Sequence, residues 1–282
     1  MFLLFDIGGT KMRLAISRDS KSFDEPKIVE TPQDFNAGMS LFQKITLELS
    51  GGEKINAAAG GIAGPLDRGK TKLINSPNLP GWIDKPLKET LQKIIKAPAY
   101  LENDAAVVGL GEAVNGAGRD EEIVAYITVS TGIGGARIVD GKIDRNIFGF
   151  EPGHQIIDPI GALCPMCGSA GHLEGHVSGA AFKARFNKRA YEITDPQIWE
   201  EGAKWLAYGL NNTAVYWSPS VIVLGGSMIT TQSPGILIER VSHHLKKTLT
   251  IFPERPRLAK AELGDIGGLY GALEILKQKI AV

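Results

Sequence analysis

Cysteine is scarce: Cys164 and Cys167 are the two thiols in 282 residues. Two are too few for a disulfide-stapled scaffold, and standing three apart they suit a metal site or a redox pair better. Net charge is lacking as well, with 31 basic against 31 acidic residues. No field gathers polyanions, which argues against nucleic acid or an anionic membrane as the main partner and leaves a small or neutral one. There is no run of 18 apolar residues, and Met1 leads straight into Phe2-Leu3-Leu4-Phe5. Neither a membrane span nor a signal peptide is expected, and the expected location is the cytoplasm. What the chain has in excess is glycine, 34 residues where ~7% is usual, so several places are expected where backbone turns tightly or approaches a ligand.

The length predicts roughly two domains on a prior of about 150 residues each. Leu3-Leu4-Phe5 and the alternation Met12, Leu14, Ile16 read as two strands around Gly8-Gly9-Thr10. A similar phrase recurs later. Ile123 to Val129 is rich in β-formers, Ser130-Thr131-Gly132-Ile133-Gly134-Gly135 reads as the turn, and Ala136 to Val139 as the return strand. Between the two lie a helix with Phe35, Met39, Phe42, Ile45 and Leu49 on one face, a strand over 55–59, and a helix opening at Pro86. Val221-Ile222-Val223-Leu224 is a buried-strand run ending in Gly225-Gly226-Ser227, and the last helix starts near Gly267. Strands alternating with helices predict an α/β protein of two lobes with a cleft between the glycine hairpins.

Each glycine turn offers backbone N–H groups unobstructed by side chains, suited to phosphate oxygens: Gly8, Gly9 and Thr10 with the Lys11 cation beside them, and Thr131, Gly132, Gly134 and Gly135. Turn chemistry alone also selects glycine, so each turn taken singly has a plain structural reading. Asp6 is more informative. A carboxylate ending an apolar strand is costly to bury without a partner, and hydrated Mg²⁺ is a fitting one. His154, Cys164, Cys167 and His172 have the ligand types and number for tetrahedral zinc, against free thiols in a reducing compartment.

The phrases Asp6-Ile7-Gly8-Gly9-Thr10-Lys11, Glu102-Asn103-Asp104-Ala105, Ser130 to Gly135, Glu151-Pro152-Gly153-His154 and Cys167-Gly168-Ser169-Ala170-Gly171 together resemble the ROK family of sugar kinases and sugar-responsive repressors. The resemblance spans nearly the whole chain. It implies an actin-like, hexokinase-like ATPase fold with ATP in the cleft. The lobes expected are 1–103, joined by the C-terminal helix 268–282, and 104–267, which carries the nucleotide site and the zinc loop.

By the same resemblance Asp104 is the general base, although an Asp at that place also makes a good helix cap. Asn103, Glu151, His154 and Glu174 are implied sugar contacts, and Asn78 in the turn-rich segment 75–82 is a further candidate. Glu151 and Glu174 read equally as solvated charges, and His154 as a structural histidine. Gly225 and Gly226 are expected near the nucleotide. Against the family's cysteine pattern this chain has Pro165 where the first cysteine belongs and His172 at the third. Zinc, if held, would fix one ring nitrogen of His154 and leave the other for the sugar. The activity implied is transfer of the γ-phosphoryl of Mg·ATP to a hexose, glucose first, with N-acetylhexosamine and fructose as alternatives. A homodimer is implied. Of another class is a non-catalytic sugar sensor.

Overall fold

Apolar on both faces, Phe2–Ile7 forms a central strand, β1, with Leu3, Leu4, Phe5 and Ile7 fully buried. The computed structural model describes residues 1–230 and 234–280. It divides into two units. The first comprises Met1–Asn115, Arg145–Gly149 and the stretch from Asp265, and the second Gly116–Asp144 and Phe150–Gly264.

Beyond β1 the first unit runs through β2 (Lys11–Ser17), β3 (Lys27–Glu30), α1 (Phe35–Ser50), β4 (Ala57–Ile62), α2 (Leu87–Ile95), β5 (Ala99–Asn103) and α3 (Asp104–Asn115). Its sheet has the order β3-β2-β1-β4-β5; β1, β2 and β3 pair antiparallel, and β1, β4 and β5 parallel. Asp34 caps α1 by accepting the Ala37 N–H. That start sets the helix phase, so that Phe35, Met39, Phe42 and Ile45 reach the core and Phe42 meets Phe5 edge to face at 5.7 Å. The strand expected over 55–59 lies instead at 57–62. Its Ala-Ala-Ala-Gly-Gly-Ile sequence has little β propensity, yet every residue is buried, and at Gly60 the Phe5 ring occupies the space of a side chain.

The second unit contains β6 (Ile123–Val129), β7 (Ile133–Val139), β8 (Lys142–Ile143), α4 (Leu173–Val177), α5 (Gly179–Phe186), α6 (Pro196–Trp217), β9 (Val221–Gly225), β10 (Ile229–Thr230), β11 (Ile236–Leu237), α7 (Ile238–Thr248) and β12 (Arg257–Lys260). Its main sheet, β8-β7-β6-β9-β12, repeats the first unit's plan: two antiparallel strands on one side of the leading strand and two parallel strands on the other. β7 begins three residues ahead of the expected return strand. Ile133 pairs directly with Val129, so Gly134 and Gly135 stand in the ladder opposite Thr128 and Ile127.

The last helix, α8 (Gly267–Ile280), belongs to the first unit and packs on α3 through glycines. At Gly271 the Val107 carbonyl of α3 takes the place of a side chain, and a Cβ on Gly111 would lie 2.5 Å from the Gly267 carbonyl oxygen. A methyl group at 271 has nowhere to go unless the helices part. Gly271→Ala therefore destabilises the protein by about 1–3 kcal/mol, a Tm loss of several degrees in differential scanning calorimetry; an unchanged Tm would mean the helices part freely. Among the described residues no helix is long and apolar enough to cross a membrane.

Candidate active site

The β1–β2 turn is held by its carbonyls. Gly8 O accepts from the Thr31 hydroxyl (2.8 Å), Gly9 O from the Gln33 amide (3.0 Å) and Thr10 O from the Thr31 N–H (2.9 Å). In a trans peptide the following N–H points the opposite way. The amides of Gly9 and Thr10 therefore face away from residues 31–33, as a phosphate cradle requires. Lys11 is exposed beside them. Asn78 comes to the same turn, its Cβ 2.5 Å from where a Cβ on Gly9 would be.

Asp6 is buried at the end of β1, but its carboxylate has a partner the sequence did not announce. Arg13 Nη1, across the hairpin on β2, donates to Oδ2 at 3.2 Å, and Arg13 Nη2 lies 3.9 Å from Asp265. Burial still outweighs the guanidinium and pushes the Asp6 pKa up to about 6. A carboxylate so poorly compensated has capacity for a further positive charge, and in that respect Asp6 fits a hydrated Mg²⁺.

At the junction of β5 and α3, Asn103 Oδ1 accepts the Ala106 N–H (3.1 Å), so Asn103 is the cap, and its Nδ2 donates to Gly64 O (3.2 Å). Asp104 is the first helical residue. Its Oδ1 accepts the Ala105 N–H at 2.8 Å. Beneath it Gly61 keeps space beside the Asp104 backbone. A neighbouring pair has no sequence signal: Lys70 donates to the buried Glu102 carboxylate two residues before Asp104.

In the second unit Ser130 O accepts from Gly179 N–H (2.8 Å) and Thr131 O from Ala180 N–H (3.0 Å). By the same planarity the Thr131 and Gly132 amides point away from 179–180. Gly225-Gly226-Ser227, at the end of β9, lies alongside: Met228 N–H donates to Val129 O (3.1 Å), and the Ser227 and Ser130 hydroxyls are 3.0 Å apart. These two phrases, 95 residues apart in the chain, thus form one surface at the carboxyl ends of parallel strands β6 and β9. Gly134 and Gly135 are not at that surface's turn but in β7.

Glu151, exposed but crowded by protein, has its carboxyl pKa raised by desolvation, against the pull of His154. Glu174 is 4% exposed, and its Oε2 accepts the Ile133 N–H at 2.6 Å. It is therefore not a solvated surface charge.

Donor atoms of His154, Cys164, Cys167 and His172 all lie within 4.8 Å of one another. His154 Nδ1 is 3.2 Å from His172 Nδ1, and Cys167 Sγ is 3.3 Å from His172 Nδ1 and 3.7 Å from His154 Nδ1. Tetrahedral zinc with these ligands requires edges of about 3.3–3.8 Å, so the spacing of His154, Cys167 and His172 fits the ion, with a Cys164 donor within 4.8 Å of them. The Cys-Pro-Met-Cys-Gly sequence folds into a tight knuckle: Gly168 N–H donates to Cys164 O and Cys164 N–H to Ser169 O, both at 2.8 Å. Cys164 lies one residue before the position occupied by Pro165, and the knuckle brings its sulfur to the site all the same. A Ser169 N–H at Cys167 holds that thiol down to about 7, whereas burial pushes Cys164 up to about 11; burial and His154 lower His172.

Two sheets of one plan, each with a glycine turn leaving its leading strand, define the actin-like ATPase fold. A family model described as the ROK family matches residues 3–279, and the chain belongs to that family. It is 28% identical to an N-acetyl-D-glucosamine kinase of Salmonella arizonae over 96% of this chain and 98% of that one. The structure is similar to a ROK hexokinase from Thermus thermophilus (TM-score 0.85, 30% identity, 99% of both chains). It is also similar to a ROK family glucokinase from Streptomyces griseus in complex with glucose and AMPPNP (TM-score 0.80, 27% identity, 98% of this chain and 99% of that one). The chain is thus a ROK sugar kinase.

Proposed function

We propose that this kinase transfers the γ-phosphoryl of Mg·ATP to the 6-hydroxyl of a hexose, with glucose as the substrate. The observation that carries the reading is Asp104, an acid placed on the first turn of α3 where Asn103 already does the capping. Asp104 takes the hydroxyl proton as the sugar oxygen attacks phosphorus, and the bridging oxygen leaves with ADP. Asn78, Asn103, Glu151, His154 and Glu174 are the groups proposed for the other hydroxyls.

The amides of Gly9 and Thr10, with Gly8 and Lys11, receive phosphate oxygens, as do those of Thr131 and Gly132. Gly134 and Gly135 support the second turn from β7, and Gly225 and Gly226 border the adenosine. Asp6 would hold Mg²⁺, which would supply neutralisation of phosphate charge. His154, Cys164, Cys167 and His172 would hold a structural zinc, which would fix the His154 ring and leave its other nitrogen for a sugar hydroxyl. A homodimer in the cytoplasm is the proposed setting.

A panel of hexoses and N-acetylhexosamines assayed for ADP release with Mg·ATP tests this reading. Glucose is expected to give the highest kcat/KM. Turnover confined to N-acetylglucosamine, the substrate in the Salmonella relative's name, would move the assignment to an amino sugar. Sugar binding with no ADP release would leave a sensor.

A further inference from the structure

We infer that Lys70 is a positioning residue for the transfer step: it anchors the Glu102 carboxylate, which holds the peptide entering α3 and so sets where Asn103 and Asp104 stand. The inference rests on the reading of Asp104 as the base. Glu102 is buried near the end of β5, an edge strand of its sheet. Lys70 donates to its Oε2, and its Oε1 accepts the Asn103 N–H at 3.1 Å. An ion pair and a backbone hydrogen bond thus meet on one carboxylate.

That hydrogen bond has a particular use at this helix start. Asn103 caps α3, and the acid or amide that often turns back from the third helical position to accept the cap N–H is missing, because Ala106 stands there. Glu102 supplies the acceptor from outside the helix. Its register partner on β4 is Gly61, where a Cβ would lie 3.0 Å from the Asp104 Cα, so Glu102 and the Asp104 backbone lie over one face of the sheet.

Lys70 is itself held in place. Its backbone is left-handed (φ 51°), a conformation that favours glycine or asparagine, and what a lysine contributes there is the reach of its side chain to Glu102. Asp67 builds the turn around it. The Lys70 N–H donates to Asp67 O (2.8 Å), and Asp67 Oδ1 accepts the Thr71 and Lys72 amides (2.5 and 3.1 Å). The segment leading into the turn makes a second contact with the junction, since Gly64 O accepts from Asn103 Nδ2 at 3.2 Å. Residues 64–70 therefore grip both residues ahead of Asp104.

The test uses the full chain as wild type, K70M, K70R, E102Q and K70M/E102Q. The readouts are kcat per sugar-binding site, KM for the hexose and for Mg·ATP, the thermal midpoint, and amide exchange at Asn103. K70M keeps an apolar stem and removes the charge, which frees Glu102 to turn toward water. Misplacing a reacting group by about 1 Å costs up to ~10²-fold, so kcat of K70M is expected to fall about 10–100-fold, with faster exchange at Asn103. Its KM for Mg·ATP and its midpoint stay near those of the wild type. K70R, which keeps a cation, recovers most of kcat, and in the E102Q background K70M adds little.

Wild-type kcat and exchange in K70M would overturn the inference. So would a loss that K70R does not recover, one as large in the E102Q background, or one matched by equal losses in Mg·ATP affinity and midpoint, the mark of general loosening. Should K70M fail to fold, E102Q and K70R decide: E102Q, a weaker partner for the ammonium, must lower kcat and K70R must not, and wild-type kcat in E102Q overturns the proposal. Wild type that phosphorylates no sugar would sink the kinase reading, while exchange at Asn103 still decides whether Lys70 holds the junction.

Discussion

Asp104→Asn lowers kcat by about 10²–10⁴-fold and leaves the hexose Kd and the thermal midpoint near those of the wild type. Each part of that expectation has a structural cause. Asn103, not Asp104, satisfies the Ala106 amide at the head of α3, so removal of the charge at 104 leaves the helix capped. Asparagine keeps an oxygen where Asp104 Oδ1 accepts the Ala105 N–H, so local geometry survives as well. What asparagine cannot do is accept a proton. Steady-state kinetics with the preferred sugar, alongside sugar titration by calorimetry, separate the two roles. A variant with wild-type kcat would show that Asp104 is a structural acid. A variant that loses sugar affinity and kcat together would make it a binding group.

That distinction was beyond sequence reading, and the reason is local. Asparagine and aspartate are both good caps and stand side by side at 103 and 104, and one residue of phase decides which side chain turns back onto the helix. Elsewhere the sequence was explicit. The Gly8-Gly9-Thr10 hairpin showed in the alternation on either side, and the buried face of α1 in the spacing of Phe35, Met39, Phe42 and Ile45. β4 was displaced in the reading because alanine and glycine carry no strand signal; their smallness is explained only by the Phe5 ring and the Asp104 backbone that press against them. The groups that shape the turns were equally invisible. Thr31 and Gln33 reach the first turn from the end of β3 and the segment after it, Arg13 reaches Asp6 across a register pair, and Glu174 reaches Ile133 from 41 residues away. Such partners are fixed by tertiary pairing, whereas the Cys164–Cys167 knuckle is a local turn and could be read from spacing alone.

Stripping the metal is the second large perturbation, and its consequences are expected in stability and in sugar affinity together. Protein purified without chelator is expected to carry about one zinc per chain by elemental analysis, and Cys167→Ser to carry little. The four donors are drawn from a segment of 19 residues, His154 to His172, whose outer bridges, Ile156 with His172 and Leu163 with Ala170, are isolated pairs and not a ladder. Without the ion, little besides the knuckle holds Cys167, which is exposed. An ion present at 1,000 times its Kd contributes about 4 kcal/mol to the folded state, so its removal is expected to lower the midpoint of the second unit by about 10 °C. His154 then loses the partner that fixes its Nδ1, so KM for the hexose rises more than kcat falls. If chelated, zinc-free protein melts and turns over like the untreated enzyme, the cluster is a pair of thiols and a pair of imidazoles that only lie close together. If the midpoint falls while the hexose KM stays constant, the ion is structural and His154 has no part in holding the sugar.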